Sequence, residues 1–315
     1  MLDPEISIII VNWNTCDILR NCLASILVPR DEIDYEVIVI DNGSTDGSTE
    51  MIKNEFPHVN LIQNNQNCGF AVANNQGIGI AKGRYILLLN SDTIILKAAL
   101  SKTVSFADVH PNAAVVGCRV LNPDGTLQPT CFMYPSLLNM LLSASYLYKL
   151  FPKSKFFGRE RMTWWDRSNE LEVDVVTGCF MLVNRKAIEQ VGLMDRCFFM
   201  YGEETDWCYR FKQAGWKIMF TPCAEIIHIG GQSTRHVRQE MLIQQRISIL
   251  QFIRKHKGSL RYRLACFLIT LSLIIRIPGW VFIAIFNCKK REDSLNRVKA
   301  YIACIEKSIS MTCWF

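Results

Sequence analysis

The chain of 315 residues has no C-x-x-C pair among its 13 cysteines, which are odd in number and scattered. That pattern argues against a disulfide framework and against a zinc site, and it points to a reducing compartment. No long basic run accompanies the net charge of +6, so nucleic acid is not implied as a partner. Before the first apolar run, Met1-Leu-Asp-Pro-Glu5 carries neither a basic nor an apolar stretch, so no secretory leader is expected. Low-complexity segments and internal repeats are missing as well. Apolar residues are plentiful: half the chain is hydrophobic, which is high for a freely soluble enzyme. The length fits one large domain, or one domain with a helical appendage.

Short β-branched runs alternate with helical patterns through the first hundred residues. Ser7-Ile-Ile-Ile-Val11 stops at Asn12-Trp13-Asn14, and an apolar stripe of Ile18, Leu19, Cys22, Leu23 and Ile26 follows at helical spacing. Tyr35-Glu-Val-Ile-Val-Ile40 runs into Asp41-Asn42-Gly-Ser44-Thr-Asp46-Gly-Ser48. Tyr85-Ile-Leu-Leu-Leu89 runs into Asn90-Ser91-Asp92. Strands alternating with helices predict a doubly wound, mostly parallel sheet, in which ligands collect at the carboxyl ends of the strands. Residues 1–110 read as a nucleotide-binding half-domain and 111–236 as an acceptor half.

A carboxylate just after a buried strand needs a compensating partner. At Asp92 a hard divalent cation, Mg2+ or Mn2+, suits the oxygen donor and would bridge to a phosphate; the competing reading makes Asp92 the N-cap of a helix from Thr93. Asp41 can accept from a base N–H while Ser44 and Asp46 reach ribose hydroxyls, or the loop is an acidic turn with a capping serine. Glu203, Glu204 and Asp206 open a helix, where acids favour the dipole. Aromatic residues lead into them, which makes a half-shielded carboxylate a candidate general base. His228 in its apolar strand is either a core histidine or a further metal ligand. Trp164 and Trp165 are either a stacking surface for sugar rings or a lid on the core.

The motifs Val11-Asn-Trp-Asn14, Val39-Ile-Asp-Asn-Gly-Ser-Thr-Asp-Gly47, Asn67-Cys-Gly-Phe70 and Leu89-Asn-Ser-Asp92 occur in that order. Thr177-Gly-Cys-Phe-Met-Leu182, Tyr201-Gly-Glu-Glu-Thr-Asp206 and His228-Ile-Gly-Gly231 follow them. Together, over about residues 5–235, they resemble the family 2 glycosyltransferases, and within them the rhamnosyltransferases of bacterial cell-surface polysaccharide assembly. The resemblance implies a GT-A fold and an inverting transfer from a nucleoside diphosphate sugar. It assigns the donor to Asn12, Trp13, Asn14, Asp41, Asn42, Ser44, Asp46, Asn67, Gly69, Phe70, Asn90 and Ser91. It puts a divalent cation on Asp92 and His228, and the proton-accepting carboxylate at Glu204 beside Glu203. Thr177, Gly178 and Asp206 join Trp164 and Trp165 on the acceptor side. Two departures stand out: Asn90-Ser-Asp92 replaces the family's D-x-D, and Glu203-Glu204 replaces its Glu-Asp pair. The branch implies dTDP-rhamnose as donor, with a UDP-sugar as the alternative. A nucleotidyltransferase would need a glycine-rich, cationic loop after the first strand, and Asn12-Trp-Asn-Thr-Cys-Asp17 has neither. A non-catalytic, nucleotide-sugar-binding subunit of a polysaccharide-assembly complex remains the other alternative.

Residues 237–315 read as a helical extension. Leu264 to Phe286 is apolar except for Thr270, Ser272, Arg276 and the Pro278-Gly279 break. An arginine near the middle of a span costs roughly 2.5–3.5 kcal/mol. Basic residues flank both ends, Arg254, Lys255, Lys257, Arg261 and Arg263 before it and Lys289, Lys290 and Arg291 after it. A hairpin or interfacial segment bent at Pro278 keeps both flanks on one side; a buried helix pair is the soluble alternative. The former implies a peripheral or monotopic protein on the cytoplasmic face of the inner membrane, with a glycan or polyprenyl-diphosphate-linked acceptor.

Overall fold

A computed structural model describes residues 3–27, 33–232, 237–287 and 290–312. In chain order the first half runs β1 (Ile6–Asn12), α1 (Cys16–Leu27), β2 (Tyr35–Asp41), α2 (Ser48–Glu55), β3 (Asn60–Gln63), α3 (Phe70–Ile80), β4 (Tyr85–Asn90), β5 (Thr93–Ile95) and α4 (Ala99–Val109). Next come β6 (Ala113–Leu121), β7 (Leu127–Gln128), β8 (Cys131–Phe132), α5 (Leu137–Ser145), α6 (Leu147–Leu150), β9 (Leu171–Glu172), β10 (Val175–Val176) and β11 (Phe180–Asn184). The chain closes with α7 (Arg185–Val191), α8 (Glu203–Gln213), β12 (Lys217–His228), α9 (Arg238–Lys257), α10 (Ser259–Phe286) and α11 (Arg291–Thr312).

Two compact units result: Met1–Tyr134 with Trp165–Phe199 and Glu203–Ser233, and Pro135–Trp164 with Met200–Gly202 and Thr234–Phe315. The boundary expected at residue 236 falls on 233–236, outside the described residues.

In the first unit the sheet order is β3-β2-β1-β4-β11-β6-β12-β5, with β7 on β6 and β9 on β12. β3, β2, β1 and β4 are parallel, β6 pairs parallel with β12, and β11 runs antiparallel between β4 and β6. The sheet is mixed and mostly parallel, as the alternation of elements predicts. Ile86 to Leu89 of β4 are all at most 1 % exposed, and each such side chain contributes about 1.5–3 kcal/mol relative to staying in water. From β1 the chain winds outward through β2 and β3, then returns to place β4 on the other side of β1. The reversal opens a crevice between the carboxyl ends of β1 and β4, where doubly wound sheets bind ligands.

One local expectation changes. Thr93–Ile95 is a strand on β12, not a helix, because a β-branched triplet fits a pleated ladder; Asp92 is therefore no helix cap. Between Leu171 and Asn184 the chain forms three short strands, broken at Val173-Asp174 and around Gly178. From Lys217 to His228 it is one strand, β12, whose register on β6 shifts between Thr221 and Glu225. Pro222, which has no N–H to offer the ladder, lies inside that shift.

In the second unit α9, α10 and α11 pack on one another, with α5 against α10. The Arg297 guanidinium of α11 lies 4.6 Å from the ring centre of Trp280 on α10. The bend expected at Pro278 is not a break: α10 runs through it as one helix. Lys289 lies outside the described residues. Among the described residues α10 is the one helix long and apolar enough to cross a membrane, and 17 % of its most apolar window is buried. Ala265, Ile269 and Leu273 face inward, whereas Phe267, Ile274, Ile275, Phe282 and Ile285 are exposed.

Gly83 sits where the turn before β4 presses on the start of β1. A Cβ there would collide with the backbone of Ile6 and Ser7, and the Gly83 N–H donates to Ser7 Oγ at 2.8 Å. Gly83→Ala should destabilise the first unit by about 2–3 kcal/mol or more, read as a lowered urea midpoint. An unchanged midpoint would contradict the close approach.

Candidate active site

The carboxyl ends of β1, β2 and β4 are in register, Asn12 beside Asp41 and Val11 beside Asn90. Asn12 is fully buried and links the three loops that leave these strands. Its Nδ2 donates to Asp41 Oδ1 at 2.9 Å and to Ser44 Oγ at 3.2 Å. Its Oδ1 accepts from Thr15 Oγ1 at 2.6 Å, and Thr15 in turn meets Ser91 Oγ at 3.1 Å across the crevice. Asp41 is 2 % exposed, and its Oδ2 accepts from the Ser44 N–H at 2.9 Å. A carboxylate has about four lone-pair sites, so Asp41 can still accept from a ligand.

The two loops after β1 and β2 hold each other. Asn14, in the left-handed region at φ 52°, accepts from the Thr45 N–H at 2.8 Å, and its own N–H donates to Ser44 Oγ. Asp46 is exposed, yet its oxygens accept from the Cys16 N–H and from the Ser48 hydroxyl and N–H. It braces the loops. Asn42 donates to Asn67 Oδ1 at 2.9 Å and accepts from the Cys68 and Asn64 N–H groups. Trp13 is half-buried at the rim.

Gly69 has φ 86°, and a Cβ there would lie 2.7 Å from the Phe199 carbonyl oxygen. This approach lets the Phe70 N–H donate to that carbonyl at 2.9 Å. Gly178 is the surface on which the Phe70 ring rests, 3.1 Å from where a Cβ would be. Thr177 Oγ1 lies 3.2 Å from Cys179 Sγ, and the Cys179 carbonyl accepts from the Asn90 N–H.

Asp92 and His228 meet where β12 pairs with β5. Asp92 Oδ1 is 3.0 Å from His228 Nε2, and Asn90 Nδ2 is 3.3 Å from the same nitrogen. Gln128 determines what that nitrogen presents. Its amide nitrogen donates to Asn122 Oδ1 and to the His228 carbonyl, so its oxygen faces His228 Nδ1 at 2.5 Å. Nδ1 therefore carries a hydrogen, so in the neutral ring the Nε2 lone pair points toward the Asp92 carboxylate. Two such acceptors repel unless a proton or a cation stands between them. An oxygen and an imidazole nitrogen form a donor set that suits Mn2+ or Mg2+. Among the described residues no group of three His, Cys, Asp or Glu side chains could hold a metal, so further ligands would come from a bound diphosphate and water, the usual arrangement for such ions.

On α8 the three acids differ. Glu203 is 3 % exposed and Asp206 is fully buried. Asp206 Oδ2 accepts from Arg210 Nε at 2.8 Å, while the same guanidinium donates to the Val191 and Leu193 carbonyls. Asp206 thus anchors the helix within the first unit. Glu204 is half-buried, so of the two glutamates it is the one with solvent access. The tryptophan pair divides: Trp165 is buried edge-on to Phe220 at 4.7 Å and donates to Asn169, and Trp164 belongs to the second unit with Lys155 over its ring. Only Trp164 has a partly open face. Sequence reasoning missed Thr15 and Gln128. Thr15 lies within a flagged loop, but Gln128, on a two-residue strand, gave no signal.

Residues 7–192 match the model of glycosyl transferase family 2. The chain is 28 % identical over 241 residues to an N-acetylglucosaminyl-diphospho-decaprenol L-rhamnosyltransferase of Mycobacterium tuberculosis, covering 72 % of this chain and 76 % of the relative. It is 27 % identical to a low-salt glycan biosynthesis hexosyltransferase of Haloferax volcanii, covering 72 % and 68 % of the two chains. Among solved structures, a mannosyltransferase from Pyrobaculum calidifontis in complex with GDP-Man and Mn2+ superposes with a TM-score of 0.56 at 15 % identity. That match covers 100 % of this chain and 88 % of the other. GalNAc-T7 with UDP, GalNAc and Mn2+ superposes at 0.53 and 16 % identity, covering 71 % and 43 %. These likenesses show the GT-A fold. With its strand-end motifs in the family's order on that sheet, the chain belongs to glycosyl transferase family 2.

Proposed function

We propose that the chain moves L-rhamnose, with inversion, from dTDP-rhamnose to a lipid-linked glycan during cell-surface polysaccharide synthesis, at the cytoplasmic face of a membrane. The observation that carries this reading is the convergence of Asn12, Asp41, Asp92 and His228 at the strand ends flanking the β1–β4 reversal. The sugar and the acceptor class are supported by the Mycobacterium tuberculosis relative, whose name gives both L-rhamnose and a diphospho-decaprenol acceptor.

In this reading Asp41 accepts the imide N–H of thymine on a lone pair that Asn12 and Ser44 leave open. The mutually braced loops bearing Ser44, Asp46 and Asn14 hold the ribose, and the Asn67–Phe70 turn and Asn90-Ser91 line the diphosphate and sugar. Asp92 and His228 would hold a divalent cation, which when bound offsets the charge gathering on the departing diphosphate. Gln128, accepting from the Nδ1 hydrogen, orients the ring so that Nε2 faces that site. Glu204 takes the proton from the acceptor hydroxyl as it attacks the anomeric carbon from the face opposite the leaving group. Thr177 and Gly178 border the acceptor path, which buried Trp165 and Asp206 support from within the core of the first unit. The exposed apolar stripe of α10 supports seating on a membrane surface.

Calorimetry with thymidine, uridine and guanosine diphosphates, each with and without Mn2+, tests the donor assignment. Thymidine diphosphate should bind only with the metal and not to Asp92→Ala; binding indifferent to both would remove the cation from the mechanism. Glu204→Gln should lower turnover by about 10²–10⁴-fold while nucleotide affinity persists, and a fully active variant would relocate the base. Gln128→Leu, which touches no ligand, should weaken Mn2+ binding in the presence of nucleotide by about 10–100-fold. Equal affinity would show that its hydrogen bond to His228 is immaterial.

A further inference from the structure

The helical unit encloses a cavity of about 240 Å³ whose lining includes none of the strand-end residues. Its polar wall brings together Arg246 of α9, Arg276 of α10, and Glu160 and Arg161 from the segment before β9. Its other wall is aliphatic and belongs to α10, where Leu271 and Ile275 are 40 % and 68 % exposed. The cavity is polar at its base and apolar at its mouth.

Among the described residues that line it, the half-buried Arg246 and Arg276 stand with one half-buried carboxylate, Glu160. Glu160 accepts from Ser143 Oγ, and burial raises its pKa above the usual carboxylate range despite Arg161 and Arg246. Burial also presses the Arg246 guanidinium toward its neutral form, and Arg276 beside it adds repulsion. Arg276 donates to the Ala144 carbonyl at 3.4 Å and stacks on Tyr146 at 4.8 Å, contacts that hold the side chain in place without neutralising it. Arg161 lies over Tyr148 at 5.2 Å. Guanidinium groups held by aromatic rings form a donor array matched to phosphate oxygens.

The arginine that burdens α10 as a membrane segment is thereby explained: it points into the cavity. Ionisable residues on apolar helices do so when they serve a ligand. A ligand that satisfies both walls has a multiply charged anionic head and a hydrocarbon tail.

We infer that this cavity takes the diphosphate head of an isoprenoid lipid, with Arg246 and Arg276 on the phosphates and the chain leaving over Leu271 and Ile275. The choice of lipid rests on the reading of the protein as a transferase with a lipid-linked acceptor; the cavity's preference for an anionic, tailed ligand does not.

Full-length protein in neutral detergent would be titrated with geranylgeranyl diphosphate and followed by thermophoresis. Parallel arms would use geranylgeraniol, inorganic pyrophosphate and phosphatidylglycerol. Geranylgeranyl diphosphate should bind tightest, and Arg246→Gln and Arg276→Gln should each weaken it on the order of tenfold or more. Ile275→Asp, which alters only the exposed rim, should weaken the lipid but leave pyrophosphate binding unchanged; it keeps the test decisive if an arginine variant fails to fold. Thymidine diphosphate binding with Mn2+, measured on the same samples, should be untouched by all three. Equal binding of geranylgeraniol, of phosphatidylglycerol or of free pyrophosphate would overturn the assignment, as would folded variants that bind like wild type. Loss of nucleotide binding in the wild type would instead strike at the strand-end site.

Discussion

The carboxamide of Asn12 holds the crevice together. It is buried at the point where the sheet reverses direction, and it satisfies Asp41, Ser44 and Thr15 at once. A buried carboxylate and a buried carboxamide would each be costly alone; as neighbours in register on adjacent parallel strands they satisfy one another. Through Thr15 and Ser91 the same network reaches across to the loop that carries Asp92. The two sides of the crevice, the β1–β2 loops and the loop after β4, are therefore parts of one hydrogen-bonded arrangement. Such preorganisation is what electrostatic catalysis requires, because donors already in position need not reorganise during reaction.

Much of this was legible in the sequence, for a physical reason. Strands buried on both faces are continuous apolar runs, so the polar residue that ends each one stands out, and Asn12, Asp41 and Asn90 are such residues. The parallel order followed from helical stripes such as Leu19, Cys22, Leu23 and Ile26 between the runs. Features that depend on long-range pairing were illegible. Thr93–Ile95 is too short to announce itself as a strand, and only the partner strand β12 makes it one. Gln128 matters because His228 lies 100 residues away in sequence and at hydrogen-bond distance in space. Residues 135–164 group with helices that come much later in the chain, so the partners of their apolar side chains are not near them in the sequence.

The two units solve different solvation problems. In the first, polar residues are drawn inward at strand ends and saturated by one another. In the second, apolar residues are turned outward along α10 while arginines are turned in, the inverse of the ordinary surface rule. An inside-out pattern of this kind is reasonable where the surrounding medium is partly hydrocarbon.

The bond from the Phe70 N–H to the Phe199 carbonyl joins the turn before α3 to the segment between α7 and α8 through backbone atoms alone. Any residue at position 199 can present that carbonyl, whereas at position 69 a side chain would occupy the space in which the bond forms. Mutational freedom across this contact is thus one-sided. Position 199 can vary as long as its carbonyl stays in place, while position 69 is held to glycine by the space the bond needs.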